Sequence, residues 1–512
     1  MFPLRIWRHW SNCFRVCVII EPDISQHNCV LTTLIMNTTA EQILDIEDAL
    51  VSDDNPARDE YTLDFQRCAR LHNYLVAYAY MARKETKTLD LDALASESWF
   101  FNQPSENVKA IRARLDPSLN LFLDSIYDPE PGFFYWVSGL EMRLADECFF
   151  EDNDFEDKER FVIIYDTTPD LGSHCVGVVY DQLNHRASFP LAIENSDSIE
   201  PIDEHWDMWF PLETILTHWI HMLRMGKITA DPRNYGELSS EEENSCHQID
   251  LWCWHPYCAA QIDSTVAAMD RYTDAIESRM QSLLPISGNK PLFTDAELDA
   301  ALVPRKCFLR SFLTQVRTPR FKLIAPGLEI PHDKEAFAAR QIFDAEGQGR
   351  DVPSLLLFAS TDDSRTAGFN EEIHRLFFGP KNQVPFNEGD PVPTGLYSAA
   401  INRFDYDSEE TGFHLLLPFA LRPNLADENG ARRSDGSLVP SGSCTQLFQH
   451  GVFHPFGGEH RLQRLQSLFD RWTELIESGV WTVGDNGVEG GIDMFRNADH
   501  GAWEDYWIPP SW

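Results

Sequence analysis

HGVFHPFGGEHRLQRLQSLFDRWTELIESGVW (450–481) decides how the fold is read. Three histidines and Glu459 surround a Pro/Gly turn. Leu462, Leu465, Phe469, Trp472 and Ile476 then follow at the three- and four-residue spacing of an amphipathic helix. This spacing predicts a helix over 459–478 with Gly479 as its stop. The sequence closes on AWEDYWIPPSW (502–512). Chain ends that are not tied down fray and are polar. This one is oily and aromatic, so it belongs to a folded core.

Outward from that stretch the periodicity alternates between helix and strand. Upstream, 395–404 and 412–419 read as a strand pair around the acidic turn FDYDSEET, and 320–325 and SLLLFA (354–359) read as strands. Helices are predicted at 369–378 and 259–284. In the first half, TLDFQRCARLHNYLVAYAYMARK (62–84) places Leu63, Cys68, Leu71, Leu75, Val76 and Ala79 on one helical face. RFVIIYD (160–166), CVGVVYD (175–181) and RASFPLAI (186–193) are short β-branched runs bounded by turn residues. PLETILTHWIHMLRMG (211–226) is a strongly apolar helix, with Pro211 suited to its first position and Gly226 to its C-terminal stop. Helices come first, strands are interspersed later, and strict βαβ alternation is lacking. That pattern predicts an α+β fold: a helical N-terminal part, mixed or antiparallel strands, and two lobes.

With 512 residues the chain exceeds the size at which one core stops growing. The segment DPRNYGELSSEEENS (231–245) is poor in apolar residues. The expected organisation is an extension over 1–35, an α+β lobe over 36–230, an acidic linker over 231–250 and a second α+β lobe over 251–512. The opening MFPLRIWRHWSNCFRVCVII is basic and aromatic, but its apolar run spans only 16–20, short of a secretory signal. A helical, acidic reading resumes at Met36, so 1–35 is expected to lie outside the fold.

The 81 acids against 42 Lys and Arg give a formal charge of −39. Affinity for nucleic acid or anionic lipid rests on Lys and Arg neutralising phosphate, so both are disfavoured as partners. A protein partner or a cationic ligand suits the charge. Eleven irregularly spaced cysteines read as a reduced, intracellular chain, and a cytoplasmic location is expected. No run approaches the ~18 apolar residues of a membrane span.

Linear signatures of catalysis are absent. Gly347-Gln348-Gly349 and Gly457-Gly458 form neither a Walker loop nor a dinucleotide fingerprint, and HExxH, GxSxG and the kinase set are missing. No cofactor is expected. The acidic run 151–157 fails as a calcium loop, because Asp157 and Ile163 stand where Gly and Glu are needed. Glu194–Asp207 reads as a solvated acidic loop, with Trp206 and Trp209 covering a groove or an interface.

Four histidine and cysteine groups carry the remaining chemistry. Cys246, Cys253, His255 and Cys258 have the composition of a zinc set but lack the CxxC knuckle; buried small hydrophobes are the competing reading. His218 and His221 share a helix face and read as exposed or hydrogen-bonded histidines. In His174-Cys175, strand alternation turns one residue to the core. His450, His454, Glu459 and His460 sit where a loop runs into a helix N-terminus and can supply acid–base groups near neutral pH. Cys444 is a nucleophile candidate beside a histidine. Against this, Glu459 suits the helix dipole alone, and buried histidines often satisfy loop carbonyls.

WFPLETILTHWIHMLRMGKI (209–228), HPFGGEHRLQRLQSLFDRWTELIESGVW (454–481) and GIDMFR (491–496) resemble an uncharacterised family of filamentous-fungal proteins, over about a tenth of the chain. The resemblance implies a setting near specialised (secondary) metabolite biosynthesis and supplies no catalytic residues. The resulting expectation is a soluble accessory or interaction protein. The alternative is a hydrolase or lyase-type enzyme using the histidines at 450–460.

Overall fold

The computed structural model describes residues 40–58, 62–91, 94, 106–127, 132–140, 148–149, 159–168, 176–189, 208–233, 246–285, 290–341, 354–377, 386–401, 410–422, 429–451, 454, 456 and 462–511. The acidic run 151–157, His174-Cys175, Trp206, Glu459, His460 and the extension 1–35 lie outside the described residues. Ala40–Trp512 form one compact unit.

Helix α1 is Ala40–Leu44 and α2 is Phe65–Arg83. The Asp64 carboxylate accepts from the Arg67 amide at 3.2 Å, satisfying an otherwise unpaired donor of the first turn of α2. Behind that cap, Cys68, Leu71, Leu75, Val76 and Ala79 are buried, as their spacing predicts, and His72 is buried with them. Helix α3 is Glu106–Arg114; α4, Pro117–Asp124, starts with Asp116 as cap and Pro117 in the first turn.

An antiparallel four-stranded sheet follows: β1 (Val137–Gly139), β2 (Phe161–Thr167), β3 (Val178–Asp181) and β4 (Arg186–Ser188), in that order. Its aromatic flank is the run Phe133-Phe134-Tyr135-Trp136, every residue of it buried. Helix α5 is Leu212–Met225. It begins one residue later than predicted, with Pro211 as the extended cap, and ends at Gly226, whose φ of 78° is the left-handed stop that favours glycine.

The span 231–250 departs from the predicted linker at both ends. Its C-terminal end is built into an antiparallel sheet of β5 (Ile228–Ala230), β6 (His247–Ile249) and β7 (Trp252–Trp254), ordered β5-β7-β6. At its N-terminal end the Asp231 amide bonds Leu251 O at 2.8 Å. Trp252 and Trp254 drive this: both are fully buried, so the strand that carries them is drawn onto the core.

The C-terminal half contains α6 (Ala259–Glu277), α7 (Asp295–Ala300), α8 (Phe308–Leu313), β8 (Leu323–Ala325), β9 (Leu328–Glu329), α9 (Lys334–Arg340), β10 (Leu355–Ser360) and β11 (Thr366–Gly368). Next come α10 (Glu371–Phe377), β12 (Pro391–Pro393), β13 (Gly395–Ile401), β14 (Glu410–Leu416), α11 (Leu465–Glu477), β15 (Val483–Gly484) and β16 (Gly487–Val488). Seven strands form one sheet in the order β14-β13-β10-β9-β8-β16-β15; β16 runs parallel to β8 and the other pairs are antiparallel. The class is therefore mixed α/β with mostly antiparallel sheets. The predicted strand pair at 395–404 and 412–419 matches β13 and β14 closely.

Helix α11 begins at Leu465, so the predicted helix is shorter at its start, and Leu462 is buried from the preceding extended segment. Leu465, Leu468, Phe469, Trp472, Leu475 and Ile476 enter the core. Helix α6 lies against them, with the Tyr272 ring 6.2 Å from Phe469 and 5.7 Å from Trp472. The aromatic tail is folded in: Tyr506 and Ile508 are buried, and the Trp507 indole donates to Arg433 O at 2.9 Å. Truncating Trp472, fully buried here, to alanine removes its contacts with Tyr272, Phe469 and Trp481, and Trp481 in turn packs on Tyr506 of the tail. Trp472→Ala is expected to cost about 3–5 kcal/mol in urea unfolding followed by circular dichroism. A loss under about 1 kcal/mol would show that the tail and α11 do not form the core described.

Candidate functional site

Segments 209–228 and 454–481 meet at Phe456. From α5, the Trp219 indole donates to Phe456 O at 3.0 Å. One residue earlier, the His218 ring stacks on the Phe456 ring at 3.8 Å and 29°, and the Phe210 ring lies 4.9 Å from that of Phe456. Alternating apolar and polar positions on α5 thus seat the loop that holds the histidines.

His450 and His454 are both buried, and their rings are 4.9 Å apart at 62°. Around them runs a buried polar network. Gln449 Nε2 donates to Phe413 O at 2.9 Å, the Ser434 amide donates to Gln449 O at 3.0 Å, and Gln463 Nε2 donates to Ser434 Oγ at 3.2 Å. The buried Asp435 carboxylate accepts from the Ser437 amide at 3.0 Å and hydroxyl at 2.5 Å. Gly451 presses against that carboxylate so closely that a Cβ there would fall inside it. The loop is glycine at 451 for this close approach. Two of the four residues predicted here are thus brought together, inside the protein.

Helix α5 holds His218 and His221 with ring centroids 6.4 Å apart. The prediction of exposed or hydrogen-bonded rings is corrected for His218. It is stacked on Phe456, and its Nδ1 has no hydrogen-bond partner among the described residues. Burial pushes its pKa down to about 3, with His221 and the Arg464 cation adding to the shift. Burial likewise holds His72 and His414 at about 3. All three are neutral imidazoles at cellular pH.

Cys444 lies beside an anion, not a cation. Its thiol faces a carboxylate, Glu372 of α10, at 3.4 Å. Glu372 also accepts the Ser443 hydroxyl at 2.5 Å, the Thr445 hydroxyl at 2.5 Å and the Cys444 amide at 3.1 Å. Burial first, and the Glu372 charge second, push the thiol well above the ordinary cysteine range. An activated thiol needs the reverse, a cation or imidazolium that favours thiolate.

Cys246, Cys253, His255 and Cys258 do not assemble as a zinc set. No group of three or more His, Cys, Asp or Glu that could hold a metal ion occurs among the described residues. His255 Nε2 is engaged by Thr229 Oγ1 on β5 at 2.8 Å, and Cys258 is carried into the start of α6, where its amide bonds Gln261 Oε1 at 3.0 Å. Trp209, read as a groove cover, is buried and packs on Phe161 at 5.7 Å.

Two features escaped the sequence. Lys227 is fully buried; its ammonium donates to Pro256 O at 2.9 Å and lies 4.5 Å over the Trp254 ring. Its only sequence signal was a cation directly after a helix stop. A cleft of about 700 Å³ opens between α1, the end of α2 and 231–233, lined by Leu44, Tyr78, Met81, Lys87, Asp231 and Arg233. Three distant segments build it, so no local pattern announced it. None of the histidines considered above lines it.

No protein-family model, curated protein or solved structure matches the chain. Among the described residues no helix is long and apolar enough to cross a membrane.

Folded His218 stays neutral down to about pH 3, whereas the same residue in the unfolded chain takes up a proton from about 6.5 downwards. Its contribution to stability is therefore full above pH 6.5 and lost as pH falls towards 3. Urea unfolding between pH 7 and pH 5 should show falling stability, and His218→Phe should flatten that slope by up to about 1.4 kcal/mol per pH unit; an unchanged slope would contradict the burial of this ring. Glu372→Gln removes the charge that holds Cys444 protonated, so alkylation of Cys444 at pH 8, followed by peptide mass spectrometry, should quicken several-fold. Unchanged or slower labelling would show that Glu372 does not control this thiol.

Proposed function

We propose that this is a non-catalytic accessory or interaction protein, connected with fungal specialised metabolism and working in the cytoplasm with a protein partner or cationic ligand. The supporting observation is that the chemistry-bearing groups described in its centre serve the packing. His450 and His454 are buried beside a polar network of Gln449, Ser434 and Gln463, and Cys444 is paired with an anion. A catalytic centre would instead present such groups to a concave, accessible site. The charge of −39 supports a partner of opposite sign and disfavours nucleic acid. In this reading the chain has two lobes, the first of them helical at its start, joined through the contacts of α5 with the 450s loop.

The test is metabolite comparison in a strain lacking the gene, complemented with the wild type or with His450→Gln/His454→Gln. Glutamine keeps a hydrogen-bonding group at each site and removes the titrating imidazole. A double variant that accumulates should restore the wild-type profile, while His454→Ala should melt lower and accumulate less. A double variant that is abundant and folded but gives the profile of the empty strain would overturn the accessory role in favour of an enzyme.

A further inference from the structure

Helix α2 stops beside the 700 Å³ cleft in a paired closure. The Glu85 amide donates to Ala82 O at 3.1 Å, and the Thr86 amide donates to Met81 O at 3.0 Å. This closure puts residue 85 in the left-handed region, where Glu85 has a φ of 50°. Glycine suits that place because it has no Cβ to crowd the carbonyl, and α5 and α11 stop on Gly226 and Gly479. The backbone therefore does not call for a glutamate at 85. What the residue does supply is a carboxylate on the wall of the cleft.

Four charged side chains line that cleft, and two of them cancel. Arg233 holds Asp231 through Nη2 at 2.6 Å and Nε at 3.0 Å. Gln248 Nε2 fixes this corner by donating to Arg233 O at 2.7 Å. Glu85 and Lys87 are exposed, and neither has a hydrogen bond or ion pair among the described residues. Lys87 stands in a turn closed by the Thr88 amide, which donates to Thr86 Oγ1 at 3.1 Å. One anion and one cation, both unpaired, thus share a single turn at the cleft. The surface beside them is apolar. Leu44, Tyr78 and Met81 are each half-buried, and Trp252 backs the Tyr78 ring at 6.0 Å and 14°.

We propose that this cleft binds a small zwitterion with an apolar body, of the α-amino-acid class. Glu85 takes its ammonium, Lys87 takes its carboxylate, and Leu44, Tyr78 and Met81 cover its side chain. A volume of about 700 Å³ lies within the range of small-molecule sites. Charge complementarity selects the zwitterion. A simple cation would meet Lys87, and a simple anion would meet Glu85 in a chain of charge −39. A ligand carrying both charges answers both side chains, while the Asp231–Arg233 pair needs nothing from it.

Isothermal titration calorimetry on the full chain provides the test, with L-phenylalanine, 2-phenylethylamine and 3-phenylpropionate as probes. The second lacks the carboxylate and the third lacks the amine. L-Phenylalanine should bind most tightly, and each of the others about two- to fivefold more weakly, as exposed ion pairs give. Glu85→Gly suits the left-handed backbone, so it should melt no lower than the wild type. It should also stop distinguishing L-phenylalanine from 3-phenylpropionate. Lys87→Met should stop distinguishing L-phenylalanine from 2-phenylethylamine, and Met81→Trp should fill the cleft and abolish binding of all three. No binding by the wild type, equal or tighter binding of a singly charged probe, or discrimination kept in Glu85→Gly would overturn the proposal. A lower melting temperature for Glu85→Gly would assign the carboxylate to the fold and overturn it too. None of these results bears on the accessory role, which the complementation with His450 and His454 variants tests separately.

Discussion

The fully buried Trp219 indole has one hydrogen to donate, and Phe456 O takes it across 237 positions of sequence. A buried indole without an acceptor costs about 1–3 kcal/mol, so the 450s loop is held against α5 by more than apolar contact. The same helix sends Trp219 towards Phe133, Phe134 and Tyr165. It thereby joins the aromatic wall of the four-stranded sheet to the histidine loop. The link is repeated next door: Pro256 O accepts from the Lys227 ammonium and from the Thr411 amide of β14 at 3.3 Å. The charge of this fully buried lysine meets a carbonyl and the face of Trp254, which makes its burial tolerable.

That constraint explains the character of the buried polar groups. A ring enclosed by aromatic neighbours loses the water that would solvate an imidazolium, so His72, His218 and His414 are neutral for the same reason. His72 lies between Tyr165 OH and Tyr127 O, each at 2.9 Å, as a neutral imidazole that can donate from one nitrogen and accept at the other. Glu372 is the counterpart among acids: its carboxylate gathers four donors from 443–445 and pins α10 to the loop beside β14. His72 and Glu372 thus satisfy polar groups inside the core.

Much of the secondary structure was legible because burial imposes a period on the residues that cause it. The stripe of α11, the face of α2, the Gly226 and Gly479 stops and the β13–β14 pair all follow from local spacing. The β5-β7-β6 sheet was not legible. Its strands are three residues long, and the flanking acidic, polar stretch masked the two tryptophans that draw β7 inward. The zinc reading of Cys246, Cys253, His255 and Cys258 failed for the related reason that a ligand set is a statement about direction. His255 is engaged by Thr229, and Cys258 is carried off to the start of α6.

The sequence by itself determined the longer helices and several of the strands, where some of them stop, that aromatic residues of the tail are buried and that negative charge dominates. Periodicity, capping residues and composition act over a few positions or over the whole sum. Only the tertiary structure decided that Cys444 faces an anion, that the His450 ring meets that of His454 inside the protein, and that Phe456 is the acceptor for Trp219. A pKa or a hydrogen bond depends on the atoms within a few ångströms, and in this fold those atoms come from residues far apart in the chain.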